Sequence, residues 1–153
     1  MQGKIALVTG ATRGIGRAIA EELGSKGAFV IGTATSEKGA EAISAYLGDK
    51  GKGLVLNVMD KESIETLLEQ IKNDFGDIDI LVNNAGITRD NLLMRMKDDE
   101  WFDIMQTNLT SVYHLSKAML RSMMKKRFGR IINIGSVVGS MGNPGQTNYC
   151  AAK

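Results

Sequence analysis

Tyr149 and Lys153, four positions apart, are the pair in this 153-residue chain best suited to acid–base chemistry. On a helix such positions stand on one face, one turn apart. A neighbouring ammonium stabilises a phenolate, which makes a working proton donor of a phenol whose reference pKa is ~10. An isolated Tyr/Lys pair at this spacing usually does no more than pack at a surface, so its meaning depends on the rest of the chain. A second candidate stands near the start. In "TGATRGIG", Gly10, Gly14 and Gly16 follow an apolar run and open a helical pattern. Glycines there permit a tight turn and a close approach of the backbone to a pyrophosphate. The free N–H groups and positive dipole end of the helix attract that group. Placed directly after an N-terminal strand, the loop reads as a dinucleotide cradle rather than an ordinary glycine-rich turn.

The other reactive residue types offer less. His114 is the single histidine and has no clustered partners, so it reads as structural and no metal site is expected. Cys150 is the single cysteine, has no histidine close by in sequence and reads as neither a nucleophile nor half of an internal disulfide. Hydrophobic residues make up 43% of the chain and charged residues 24%, both globular values. A net charge of +2 gives no global field for nucleic acid. No stretch reaches the roughly 20 apolar residues of a membrane span, and "MQGKIALVTG" lacks a signal-cleavage pattern. One cytoplasmic domain over residues 1–153 is expected, with no nucleic-acid or membrane partner.

The elements that must position these groups follow from periodicity. Lys4 to Thr9 reads as a buried strand. Gly14 to Lys26 reads as a helix with Ile15, Ala18, Ile19 and Leu23 on its buried face, ended by Gly27. "AFVIGT" is a second strand, and Ser36 to Leu47 a helix with Ser36 as N-cap. "GLVLNV" is a third strand; Asp60 caps a helix running through Asp74 and closed by Gly76. "IDILVNN" is a fourth strand. About Asp98 through Lys126 is largely helical, as a short helix and a long one, and "GRIINIGS" is a fifth strand. Strands apolar on both faces and separated by helices imply a parallel sheet covered on both sides. The expected fold is α/β: a doubly wound, Rossmann-type parallel sheet with strand order 3-2-1-4-5.

The glycine spacing is T-G-x-x-x-G-x-G rather than G-x-G-x-x-G, and it resembles that of the short-chain dehydrogenase/reductase family. "NNAG" at Asn83 to Gly86 follows the fourth strand, as it does in that family, and Asn108, Ser136, Tyr149 and Lys153 match its Asn, Ser and Y-x-x-x-K set in order and spacing. The resemblance covers the whole chain. It implies ketone reduction, with Tyr149 as proton donor and Lys153 tuning it and holding the nicotinamide ribose. It implies that Ser136 bonds the substrate carbonyl and the developing oxyanion. Asn108 would anchor a water-mediated proton path to Lys153. The cofactor contacts implied are Gly10, Thr12, Arg13, Gly14, Ile15 and Gly16 in the loop and Thr35 after the second strand. Asn57 and Val58 would flank adenine, and Asn84, Ala85 and Gly86 complete the set with Tyr149 and Lys153. Met59 departs from the small polar residue common in the family, which bears on local capping.

An NAD site usually carries an acid at the tip of the second strand. Here the tip reads Thr33, Ala34, Thr35, Ser36, and Glu37 falls on the following helix. A guanidinium at Arg13 could pair with a ribose 2′-phosphate, with Thr12 and Thr35 donating hydroxyls. The expected cofactor is therefore NADPH/NADP; the plainer reading of Arg13 is a solvated loop charge.

Within the family, "GITRDNLLMRM" and "IGSVVGSMGNPGQTNYCAAK" resemble members that reduce 3-oxoacyl chains on acyl carrier protein during fatty-acid elongation. The resemblance implies that activity and a homotetramer for the complete protein. A reductase of a CoA thioester or small hydroxy compound, or a non-catalytic cofactor-binding chain, remain open. Lys125, Lys126 and Arg127 read equally as a helix C-terminus complementing its dipole or as a docking patch for the acidic carrier. Met94 and Met96 read as packing before acyl contacts. Resembling proteins continue past Lys153 with a long helix, two further strands and a substrate loop. The chain is thus expected to be truncated, with the family's C-terminal strands absent. A helix begun near Asn148 is expected to be too short to hold Tyr149 against Lys153. The strand at Arg130 to Gly135 should be an apolar open edge, and the 153-residue chain should bind NADPH weakly, not turn over, and associate.

Overall fold

Two apolar layers sandwich one sheet, and the period-2 geometry of its strands explains both. The computed structural model describes residues 1–153. Its strands are β1 (Ile5–Val8), β2 (Phe29–Ala34), β3 (Gly51–Val55), β4 (Ile80–Asn83) and β5 (Arg130–Asn133). All pair in parallel, in the order β3-β2-β1-β4-β5. Ala6, Val8, Val30, Ile80 and Val82 point to one face, where they meet Ala20 and Leu23 of α1 (Gly14–Ser25) and Ile43 and Leu47 of α2 (Glu37–Leu47). Leu7, Ile31 and Leu81, one residue out of phase, point to the other face. There they meet Ile64, Leu67 and Ile71 of α3 (Lys61–Asp74), with Leu115, Met119 and Met123 of α5 (Ser111–Lys126). This is the doubly wound α/β fold in the predicted strand order.

The predicted caps form as well. Ser36 Oγ accepts from Gly39 N at 3.2 Å, Asp60 Oδ1 accepts from Glu62 N at 2.9 Å, and Gly76 takes φ +114°. Three details differ from the periodic reading. Helix α1 buries Gly16, Ala20, Leu23 and Gly24; Ile19 is half-buried, while Ala18 is exposed and Ile15 is 63% exposed. Small residues face the sheet because α1 lies close to it, and Ile15 is left at the mouth of the crevice. Strand β3 begins at Gly51, not Gly53, and ends at Val55. Its pairing with β2 runs from Val30↔Gly51 to Ala34↔Val55. The glycines carry no apolar signal, yet the packing requires them: a side chain at Gly53 would collide with the Ala40 carbonyl of α2. The third difference lies between α4 (Asp98–Met105) and α5, where Gln106–Thr110 forms a π turn closed by Ser111 N donating to Gln106 O.

Two short helices follow β5: α6 (Val138–Met141) and α7 (Thr147–Ala152). Strand β5 is the sheet edge, and Ile132 on it is 44% exposed. The crevice for a ligand in such a sheet opens beyond the carboxyl ends of the strands where strand order reverses. Here that point lies between β1 and β4.

Candidate active site

The loop from Gly10 to Arg13 is held in shape by β2, α2 and the segment that follows β4. Gly10 N donates to Thr33 Oγ1 at 3.3 Å and Ala11 N to Thr33 O at 2.9 Å. The Tyr46 hydroxyl of α2 donates to Ala11 O at 2.6 Å, and burial, then the negative charge of Glu21, pushes its pKa up to about 12. From the segment after β4, Asn84 Nδ2 donates to the carbonyls of Thr9 and Gly10, both at 3.0 Å. The Thr9 hydroxyl accepts from the N–H groups of Asn84 and Ala85. The second asparagine of "NNAG" is therefore a strut for the glycine loop. Gly10 sits at φ +65°, and a methyl added at Gly16 would collide with the Gly10 carbonyl and the Asn84 amide. The backbone is thus bare where a phosphate would meet the N-terminus of α1.

A cavity of about 640 Å³ opens over this loop. Gly10, Thr12, Arg13, Gly14, Ile15, Gly16, Thr35, Val58, Asn84, Ala85 and Gly86, all named from the sequence, line it. Thr33, Ala34 and Ser36, read at the strand tip but not as contacts, line it too, together with Leu56, Ile87 and Thr107, which had not been singled out. Asn57 does not: it is exposed, and its Oδ1 accepts from Met59 N at 3.1 Å, closing the turn that leads into α3. No carboxylate lines the cavity, and Arg13 is exposed beside Thr12, Thr35 and Ser36.

Beyond the cavity stand the acid–base candidates. Asn108 sits in the π turn, buried, with both ends of its amide on the backbone of Ile87. Its Oδ1 accepts from Ile87 N and its Nδ2 donates to Ile87 O, each at 2.9 Å. A methyl on Gly86 would lie 3.2 Å from Asn108 Oδ1 and 3.5 Å from Lys153 Nζ, so these three groups converge. The Lys153 ammonium donates to Ile134 O at 2.8 Å and lies 5.8 Å from the centre of the Tyr149 ring. Burial alone holds the Lys153 pKa below the ordinary lysine value. Lys153 and Asn108 share a second cavity of about 340 Å³ with Asn83, Asn133 and Gly135. Ser136 is half-buried in the loop after β5, where its carbonyl accepts from Gly139 N. Neither Ser136 nor Tyr149 lines these two cavities.

The helix turn expected to be too short is formed. Lys153 N donates to Tyr149 O at 3.0 Å. Tertiary bonds supply what length does not: Asn148, fully buried, ties α7 to the loop after β4 and to α4. The basic cluster divides in a way its composition did not reveal. Lys125 and Arg127 are exposed. Lys126 Nζ turns inward to Asp79 Oδ1 at 2.8 Å and to the carbonyls of Asp77 and Ile78. Lys126 is therefore a clamp on the start of β4, turned away from its two exposed neighbours.

Known proteins resemble the chain along its whole length. The sequence model of a family described as short chain dehydrogenase matches residues 4–153. The 3-oxoacyl-[acyl-carrier-protein] reductase FabG of Haemophilus influenzae is 97% identical over 153 residues, covering 100% of this chain and 63% of that protein. The protein of the same name from Escherichia coli is 74% identical over 152 residues, covering 99% and 62%. That of Vibrio harveyi is 74% identical over 153 residues, covering 100% and 63%. The chain thus spans less than two thirds of the length of these relatives.

Proposed function

The chain belongs to the short chain dehydrogenase family, and from that premise we propose that the protein is an NADPH-dependent reductase. Its substrate is a 3-oxoacyl chain on acyl carrier protein, converted to the 3-hydroxyacyl form in fatty-acid elongation. The observation that carries this reading is the convergence of Lys153 Nζ and Asn108 Oδ1 on Gly86 at the wall of the cavity over the glycine loop. The 97% identity to a protein of that name supports the substrate.

The residues present fit a phosphorylated dinucleotide. A bare backbone at Gly16 and the N-terminus of α1 receive the pyrophosphate. Arg13, Thr12 and Thr35 take the 2′-phosphate, and Thr33 is already committed to Gly10. Bound there, the nicotinamide supplies the hydride. Tyr149 gives its hydroxyl proton to the substrate oxygen, and Ser136 donates a hydrogen bond to the same oxygen as charge develops. Lys153 orients Tyr149; its lowered pKa supports its acting as a proton relay. The amide of Asn108 holds Ile87 and with it the wall of the cavity.

Lys125 and Arg127 form the docking surface for the acidic carrier, supported by their exposure at the end of α5. The protein works in the cytoplasm, and no helix is long and apolar enough to cross a membrane. A homotetramer is supported by the outward face of α5, where Tyr113, Leu120 and Met124 are exposed. The experiment that tests the substrate compares kcat/KM for acetoacetyl groups on carrier protein and on CoA, following NADPH oxidation. Higher efficiency on the carrier is expected; preference for CoA would assign a different reductase.

A further inference from the structure

We propose that Asn148 is a positioning residue for Tyr149: a buried amide that sets the catalytic hydroxyl by fastening α7 to two other elements. The inference rests on the reductase reading above for its effect on turnover, but not for its effect on the helix. Asn148 has no solvent exposure. Its Nδ2 donates to Arg89 O at 2.9 Å and to Glu100 O at 3.0 Å. Its Oδ1 accepts from Tyr149 N at 2.8 Å. Both donors and the acceptor of one side chain are thus used, on the loop after β4, on α4, and on the residue that carries the phenol. Tyr149 stands in the first turn of α7, where the helix's own hydrogen bonds do not hold the backbone N–H groups in place. These three bonds do so, and the adjoining loop repeats the attachment. Asn91 N donates to Gly145 O at 2.9 Å, and Gln146 Nε2 donates to Asp90 Oδ1 at 3.1 Å. Asn91 is itself held by Glu100, whose Oε2 accepts from Asn91 Nδ2 and Lys97 N. The stretch from Arg89 to Asn91 therefore grips Gly145 to Asn148, and the grip ends one residue before Tyr149.

Asn is the residue type this position needs. Asp keeps the acceptor for Tyr149 N but turns an oxygen toward the carbonyls of Arg89 and Glu100 at a position with no solvent exposure. Ser keeps an oxygen near Tyr149 N and loses the reach to both carbonyls.

Cys150, the chain's only cysteine, half-buried on α7 beside Tyr149, provides a local reporter independent of turnover. The test labels Cys150 with a thiol reagent under native conditions in wild type and Asn148→Asp, alongside thermal melting and the pH dependence of kcat/KM. Labelling of Asn148→Asp is expected to be faster by roughly tenfold or more, the factor that about 1.4 kcal/mol of local opening corresponds to. Melting should remain cooperative, kcat/KM should fall about 100-fold as for a misplaced catalytic group, and the pH optimum should move upward. A merely stabilising residue would lower activity only with the folded fraction, leaving the optimum and the labelling of folded protein unchanged; that result would overturn the proposal. Where Asn148→Asp does not fold, Asn148→Ser carries the same readouts with the same expected directions. If labelling accelerates but the complete wild-type protein does not reduce a 3-oxoacyl thioester, the grip on α7 stands and the reductase reading falls.

Discussion

A single guanidinium decides cofactor choice in this account. Arg13 is exposed at the cavity over the glycine loop, and nothing acidic lines that cavity to repel a 2′-phosphate. Arg13→Ala should weaken NADPH binding by about 10- to 100-fold, the equivalent of about 1.5–3 kcal/mol for a hydrogen bond to a charged group. NADH binding should change little. Titrating cofactor fluorescence with both nucleotides checks this; equal losses for the two would mean that Arg13 supports the loop rather than the phosphate. The glycines and Arg13 are legible from the sequence because their spacing follows one strand and opens one helix. Lys126 and Asn57 are not, because their roles depend on partners distant in the chain or on a local turn. Lys126 reaches Asp79 across 47 positions, and Asn57 spends its carbonyl on Met59 N. Asn148 has no local signal at all; its burial comes from α4 and the loop after β4 meeting over it.

Elements are tied to one another by two titrating groups at opposite ends of the sheet. At the start of β4, burial pushes the Asp79 carboxyl up. Hydrogen bonds from Lys126 Nζ and Ile5 N, with the charges of Lys126 and Lys4, outweigh burial and leave its pKa below the ordinary value. A depressed folded pKa contributes stability that is full above the unfolded value of ~3.9 and is lost as pH falls through the folded value. Asp79→Asn should therefore be less stable than wild type at neutral pH and show a flatter acid limb in melts from pH 7 down to about pH 2. An unchanged acid limb would contradict the clamp. At the other end, Tyr46 is raised to about 12. Its contribution is full below the unfolded value of ~10 and is lost as pH rises through the folded value, which would free the Ala11 carbonyl it holds. Tyr46→Phe should flatten the alkaline limb alone. Strand order, helix order and most caps are legible because both sheet faces are apolar and the N-cap residues are Ser36 and Asp60. The π turn at Gln106–Thr110 is not legible: the sequence divides Asp98 to Lys126 into a short helix and a long one, but the wider turn that joins them goes with Asn108's two bonds to Ile87, a partner distant in the chain.

At the scale of the whole molecule, positive charge is exposed at the C-terminal end of α5. Its end presents Lys125 and Arg127, while Lys126 is withdrawn into the clamp. Reversing Lys125 and Arg127 to Glu should raise KM for a carrier-bound substrate while leaving a CoA-bound one near its wild-type value. The difference should shrink as salt is raised, because exposed charges are screened within about 10 Å at 0.1 M. Equal effects on both substrates would remove this surface from carrier recognition. Lys126→Glu should instead lower the melting temperature, since it leaves Asp79 facing a like charge.

All of these levels meet at the hydroxyl of Tyr149, and the most direct test of the account removes only that atom. NADPH oxidation is followed with a 3-oxoacyl group on acyl carrier protein, in the complete wild-type protein and its Tyr149→Phe variant, with cofactor binding measured in parallel. The kcat is expected to fall by about 10²- to 10⁴-fold, the range for losing a positioned general acid, while NADPH still binds and the fold still melts cooperatively. Wild-type turnover in Tyr149→Phe would contradict it, because the proton would then reach the substrate from a group other than the one α7 holds beside Lys153.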